Sequence, residues 1–172
     1  MEFIPEVLCD LKSIRGRLVY EIDDDSFNFI YEEPDFTAGR SCICFGDYIQ
    51  VAIDLRNGQL LGVSGLSNYQ IWTNTSLIIP KEKSSSGLIL KEFSGLISGV
   101  GYAGEREGND FESKYYDPET GWFCTGNPNT ETVVQFATNC FAALNENLID
   151  ALWLRPENWR DINTGNLSLI VK

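Results

Sequence analysis

The densest chemistry-bearing cluster in this chain is acidic: Asp23, Asp24 and Asp25, followed by Glu32, Glu33 and Asp35. Carboxylates gathered in this way serve cation ligation, general acid–base work or recognition of a basic partner. The calcium reading fails on spacing. An EF-hand loop counted from Asp23 needs an oxygen ligand at its fifth position, Gly at its sixth and Glu at its twelfth. Those places hold Phe27, Asn28 and Pro34. Glycoside hydrolysis needs two carboxyl groups fixed across a cleft, and no spacing among the 25 acids marks such a pair. Recognition remains. The acids form the rim of a site for a basic protein surface, with Phe29, Tyr31 or Phe36 as anchors. An ordinary pair of solvated turns is the competing reading.

Nucleophilic chemistry has little to work with. The chain has no histidine, so neither a Ser-His-Asp nor a Cys-His arrangement can be assembled. The cysteines are Cys9, Cys42, Cys44, Cys124 and Cys140. Their number is odd and no CxxC pair occurs, which fits reduced, buried thiols better than disulfides or a zinc site. No metal ligand set and no cofactor site is assigned. Gly99-Val100-Gly101-Tyr102-Ala103-Gly104 matches GxGxxG, but the acidic Glu105–Asp110 stretch follows it where a phosphate-binding helix would have to start. Trp72, Trp122, Trp153 and Trp159 offer stacking surfaces for a ligand, against the commoner role of aromatics in packing.

These residues must be placed by the elements around them. Pro5–Lys12 reads as a short helix. Alternation gives strands over Arg17–Ile22 and Phe27–Tyr31, separated by a polar turn at Asp23–Ser26 and followed by a loop at Glu32–Arg40. Ser41–Phe45, Tyr48–Leu55 and Gln59–Ser64 follow. Asn57-Gly58 predicts a two-residue hairpin that sets Leu55 opposite Leu60. Such short connections require antiparallel pairing. Tyr69–Thr73 and Ser76–Ile79 are further strand candidates, and Gly99–Asp110 reads as a surface loop. Phe111–Tyr116 and Trp122–Thr125 flank a turn at Asp117–Gly121. Val133, Phe136, Ala137, Cys140, Phe141, Leu144 and Leu148 then recur at steps of three and four. That spacing predicts a core-facing helix from Thr130 to Leu148, opened by Asn127 or Asn129. Leu167–Val171 is a candidate final strand. No internal repeat is visible.

The 172 residues suit one domain, 1–172, and 43% hydrophobic content is enough for a core. The predicted class is α+β: a mainly antiparallel twisted sheet of about six strands, with one long amphipathic C-terminal helix packed on one face. The net charge of −12 is concentrated in residues 1–55, which hold twelve acids and four bases. This field repels nucleic acid and anionic membranes and steers a basic partner inward. Met1–Lys12 lacks a signal-peptide pattern and no run reaches a membrane-spanning length, which points to the cytoplasm.

The Phe45–Gly58 stretch, FGDYIQVAIDLRNG, resembles a strand-and-hairpin pattern of the SUKH superfamily and other immunity proteins of bacterial toxin systems. Tyr116–Gly121, YDPETG, followed by an amphipathic segment over Val133–Leu144, is similar to the final hairpin and helix of that group. The resemblance implies a non-enzymatic protein that binds a cognate toxin domain in the cytoplasm and occludes it. Such toxins are commonly nucleases or nucleic-acid-modifying enzymes with basic surfaces. The contact residues expected on this basis are Asp23, Asp24, Asp25, Glu32, Glu33, Asp35, Phe36 and Trp122. The alternatives are a small-ligand or glycan-binding module using Trp72 or Trp122, a carboxylate-dependent enzyme, and a structural subunit of an assembly.

Overall fold

A computed structural model describes residues 3–33, 39–46, 48–83, 87–104, 111–146 and 148–170, the last six of these in their backbone only. The described chain is mostly β, arranged in three sheets. The first sheet holds β2 (Gly16–Glu21), β3 (Ser26–Tyr31), β4 (Arg40–Phe45), β5 (Ile49–Asp54), β6 (Leu60–Leu66) and β10 (Gly101–Ala103). Its order is β10-β4-β5-β6-β3-β2. The second holds β7 (Thr73–Asn74), β8 (Lys81–Glu82), β11 (Lys114–Tyr116), β12 (Phe123–Gly126), β13 (Thr132–Ala137), β14 (Cys140–Asn145) and β15 (Leu148–Leu154), in the order β7-β11-β12-β15-β14-β13-β8. A third, two-stranded ladder joins β1 (Pro5–Leu8) to β9 (Gly87–Leu90). One helix, α1 (Trp159–Ile170), closes the described chain.

The expected α+β class with a long covering helix is therefore overturned. The 130–148 segment is two hairpins. Asn139 (φ 59°) and Glu146 (φ 48°) take left-handed turn conformations that break any helix. Cys140 pairs with Ala137 across one turn and Leu148 with Asn145 across the other. The apolar spacing misled because both faces of these strands are buried. Phe136, Cys140 and Leu152 face the core between the sheets, while Val133, Phe141 and Trp153 face a second cluster behind it. A strand buried on both faces shows no period of two, and its apolar residues fall at helical steps by coincidence.

Smaller expectations also shift. Pro5–Leu8 is strand, not helix. Ile53, not Leu55, stands opposite Leu60, because the connection spans four residues and the Gly58 N–H donates to the Asp54 carbonyl. Tyr69–Ile71 is a 3₁₀ turn rather than a strand. Leu167–Ile170 continues α1 instead of forming a strand.

The two sheets repeat one topology. β2–β3 and β11–β12 are hairpins, β4–β5–β6 and β13–β14–β15 are meanders, and β6 and β15 return beside β3 and β12. Each half is thus a Greek key preceded by a hairpin partner. The residues agree. Tyr20, Asp25 (φ 50°) and Phe27 match Tyr116, Gly121 (φ 78°) and Phe123 at identical spacing. In each hairpin the Tyr pairs with the Phe. The Tyr20 hydroxyl donates to the Ser67 carbonyl and accepts from the Tyr69 N–H, at the helical turn after β6. The Tyr116 hydroxyl donates to the Trp159 carbonyl, at the start of the helix after β15.

The halves cap each other. β7, which follows the first half, lies parallel to the β11 edge. Asn158, which follows the second half, brackets the backbone of Tyr20 on the β2 edge: its side chain accepts from the Tyr20 N–H and donates to the Tyr20 carbonyl. Trp72 sits between the halves, in the core, with its ring centroid 5.0 Å from Tyr20 and 4.6 Å from Phe123.

Candidate functional site

The two sheets present contrasting outer faces. The outer face of the second sheet carries Cys124, Val133, Phe141, Ala143, Ala151 and Trp153, all buried. Chain covers it. Between β7 and β8, residues 75–80 cross from one edge of the sheet to the other and set Leu77 onto this apolar cluster. The strap is tied at both ends. The Thr75 N–H donates to the Tyr116 carbonyl, the Leu77 N–H to the Asp117 carboxylate, and the Lys81 N–H to the Glu131 carbonyl. Asp117 is buried; burial pushes its carboxyl up, but the N–H groups of Leu77, Glu119 and Thr120 outweigh that and hold it below the usual carboxylate range. Between the strap and the Pro128–Thr132 loop lies a cleft of about 910 Å³, floored by Tyr115. Ile78, on the strap, is 87% exposed.

The outer face of the first sheet is different. Alternation along β2–β6 directs Val19, Asn28, Ile30, Cys42, Cys44, Gln50, Ala52 and Ser64 outward, and none of them is buried. Among the described residues, no segment crosses this face as the strap crosses its counterpart. Ile30 is 46% exposed.

The acidic residues singled out in the sequence fall at the two ends of this open face. Asp23 and Asp24 are exposed at the β2–β3 turn and make no ion pair with a described residue. Asp25 is half-buried, with its carboxylate 3.3 Å from the Tyr20 hydroxyl. Glu32 and Glu33 stand beyond the far end of β3, roughly 20 Å away at the rise of a six-residue strand. Both pair with Arg15, at 3.6 and 3.1 Å. The structure therefore sets the two clusters apart as opposite rims. The expected aromatic anchors are not available there. Phe29 is buried in the core, and Tyr31 lies under the Arg40 guanidinium. Asp35 and Phe36 lie outside the described residues. Trp122 belongs to the other sheet's outer cluster, 5.3 Å from Phe141 and 6.3 Å from Trp153. Trp72 is buried, so a ligand cannot stack on it.

What sequence reading missed is an apolar pair, Val19 and Ile30, on the β2–β3 side of the open face. The signal was present: Arg17-Val19-Glu21 and Asn28-Ile30 are the outward registers once Tyr20 and Phe27 are taken as core.

The remaining chemistry is sparse. Among the described residues, no group of three or more Cys, Asp or Glu could hold a metal ion. Burial pushes the Cys124 and Cys140 thiols far above the ordinary range, which makes them inert at neutral pH. Asp54 is buried against Arg56 at 2.6 Å, and hydrogen bonding to that guanidinium holds its carboxyl low. It closes the β5–β6 turn. No helix among the described residues is long and apolar enough to cross a membrane. No protein-family model matches this chain, and no curated protein matches it.

Proposed function

We propose that this chain is a non-catalytic binding protein of the immunity type, acting in the cytoplasm, which neutralises a cognate bacterial toxin domain by covering it. One observation carries the reading. Of two sheets with the same topology, one has its outer face covered by its own chain, and among the described residues the other leaves that face open, with acidic residues at both ends of its β2–β3 hairpin. Apolar side chains flanked by charge are the general anatomy of a protein interface, and Val19 and Ile30 lie between the acidic ends of the β2–β3 hairpin. The net charge of −12 supports a basic partner, such as a nuclease or nucleic-acid-modifying domain whose own substrate is a polyanion. Asp23 and Asp24 would steer the encounter, and Val19 and Ile30 would be desolvated in the complex.

The test is protection of growth. The chain is coexpressed with the toxin domain encoded beside it, and binding of the purified pair is measured at two salt concentrations. Protection is expected, with association that slows as salt rises. Undiminished toxicity together with no binding sinks the reading.

The cleft under the strap favours a second reading, a small apolar ligand held over Tyr115. A ligand screen read by Trp122 fluorescence separates the two, since Trp122 neighbours that cleft's floor in the same apolar cluster and lies on the other sheet from the open face.

A further inference from the structure

We propose that Cys42 and Cys44 form a two-thiolate site for a soft monovalent metal ion of the Cu(I) class. The two residues sit two apart on β4, so the strand directs both side chains to the open outer face. Both are half-buried. The neighbouring strand places Gly101 beside Cys42. A Cβ built on Gly101 would lie 3.2 Å from the Cys42 Sγ and 3.3 Å from the Cys44 Sγ. The two sulfurs thus converge on a point that any side chain at 101 would fill. Glycine leaves that point open, and residue 101 is itself exposed.

Geometry selects the ligand. Residues two apart on a strand have Cα atoms about 6.6 Å apart and parallel Cβ vectors. That is the outer limit for a disulfide, whose Cβ atoms must come within about 4.5 Å. Direct S–S bonding would require the backbone to move, so the pair persists as thiols. A two-coordinate ion with metal–sulfur bonds of about 2.3 Å instead bridges sulfurs roughly 4.6 Å apart. Tetrahedral zinc needs four ligands, and no described Cys, Asp or Glu completes such a set. Thiolate softness and low coordination therefore favour Cu(I). On binding, each thiol releases its proton to solvent, two metal–sulfur bonds form, and the ion keeps its oxidation state. Uptake therefore displaces protons.

This inference is independent of the toxin-binding reading. The test is anaerobic titration of the reduced full chain with Cu(I) against a chromogenic chelator, followed by alkylation and peptide mass mapping. One Cu(I) per chain is expected, with Cys42 and Cys44 the cysteines whose alkylation is lost on metal addition, since the buried Cys124 and Cys140 are unreactive with or without it. Affinity should fall by about tenfold or more in Cys42→Ser and Cys44→Ser. It should also weaken in Gly101→Val, which keeps both thiols and fills the notch. Cys9→Ser should bind as the parent does. Cu(I)-dependent protection of Cys9, or no Cu(I)-dependent protection of Cys42 and Cys44 in the parent chain, overturns the proposal. Unchanged binding in both Cys42→Ser and Cys44→Ser overturns it as well.

Discussion

Phe27 and Phe123 occupy the same place in the two hairpins, and their rings meet in the core with centroids 5.0 Å apart. The repeated halves are therefore joined through equivalent residues. Trp72 packs against both, stacked on Phe27 at 5.8 Å and tilted on Phe123 at 4.6 Å. Replacing either phenylalanine by alanine should cost about 3–5 kcal/mol in urea unfolding. The double variant should lose less than the sum, by about 0.5–1.5 kcal/mol, because the ring–ring contact is lost only once. Strict additivity would show that the halves are not coupled there.

The hydroxyls of Tyr20 and Tyr116 test the same repetition. Burial raises both phenols far above their ordinary value, so neither ionises at any pH of interest. Tyr20→Phe orphans the Ser67 carbonyl and the Tyr69 N–H. It should destabilise by about 1–3 kcal/mol, within one cooperative transition. Tyr116→Phe loses the bonds to Trp159 and Asn163 at the more solvated start of α1, and should cost less.

Asp117 makes the strap acid-sensitive. Its folded carboxyl is held below its unfolded value. Its contribution is therefore complete above the unfolded value near 4 and is lost as pH falls through the lower folded value. Asp117→Ala should cost roughly 3 kcal/mol at neutral pH by leaving the Leu77, Glu119 and Thr120 N–H groups unpaired. It should also flatten the acid limb of the stability curve. An acid limb as steep as the parent's would remove Asp117 as its source.

Asp23 and Asp24 should behave oppositely. They are exposed and unpaired, so Asp23→Asn with Asp24→Asn should leave stability within about 0.5 kcal/mol. Partner association should slow and lose much of its salt dependence, with dissociation little changed. Ile30→Asp should instead raise the dissociation rate. A double variant that unfolds early would show that the turn is structural.

Asn139 tests the turn that replaced the expected helix. Its positive φ costs little for Asn and more for Ala. Asn139→Ala should destabilise by about 1 kcal/mol and Asn139→Gly hardly at all. A helix at that position would reverse the order, because Ala is the better helix former.

The sequence was legible where strands have one buried and one open face. Leu18-Tyr20 and Phe27-Phe29 alternate with Val19 and Asn28, so β2 and β3 stand where alternation set them. It was opaque where both faces are covered. Val133 and Val134 are both buried, one behind the sheet and one toward the core, and no pattern within β13 separates them. The strap was equally hidden. Thr75–Pro80 has strand composition, but its hydrogen bonds go to residues far along the chain, which local spacing does not encode. The repeat escaped notice for a related reason. What the halves share is strand order and three hairpin positions, not composition: Ile43 pairs with Val51 in the first sheet, while Val134 pairs with Ala142 in the second.

The bracket that Asn158 places on Tyr20 has a consequence for synthesis on the ribosome. The β2 edge is sealed by a residue made near the end of the chain, whereas β7, which seals the β11 edge, is made before β11 itself. The first half therefore emerges with a bare strand edge that stays unpaired through most of translation. Such an edge is a template for pairing with another chain. Arg17 and Glu21 point outward along that strand, and charges so placed discourage a nascent neighbour from docking before Asn158 arrives.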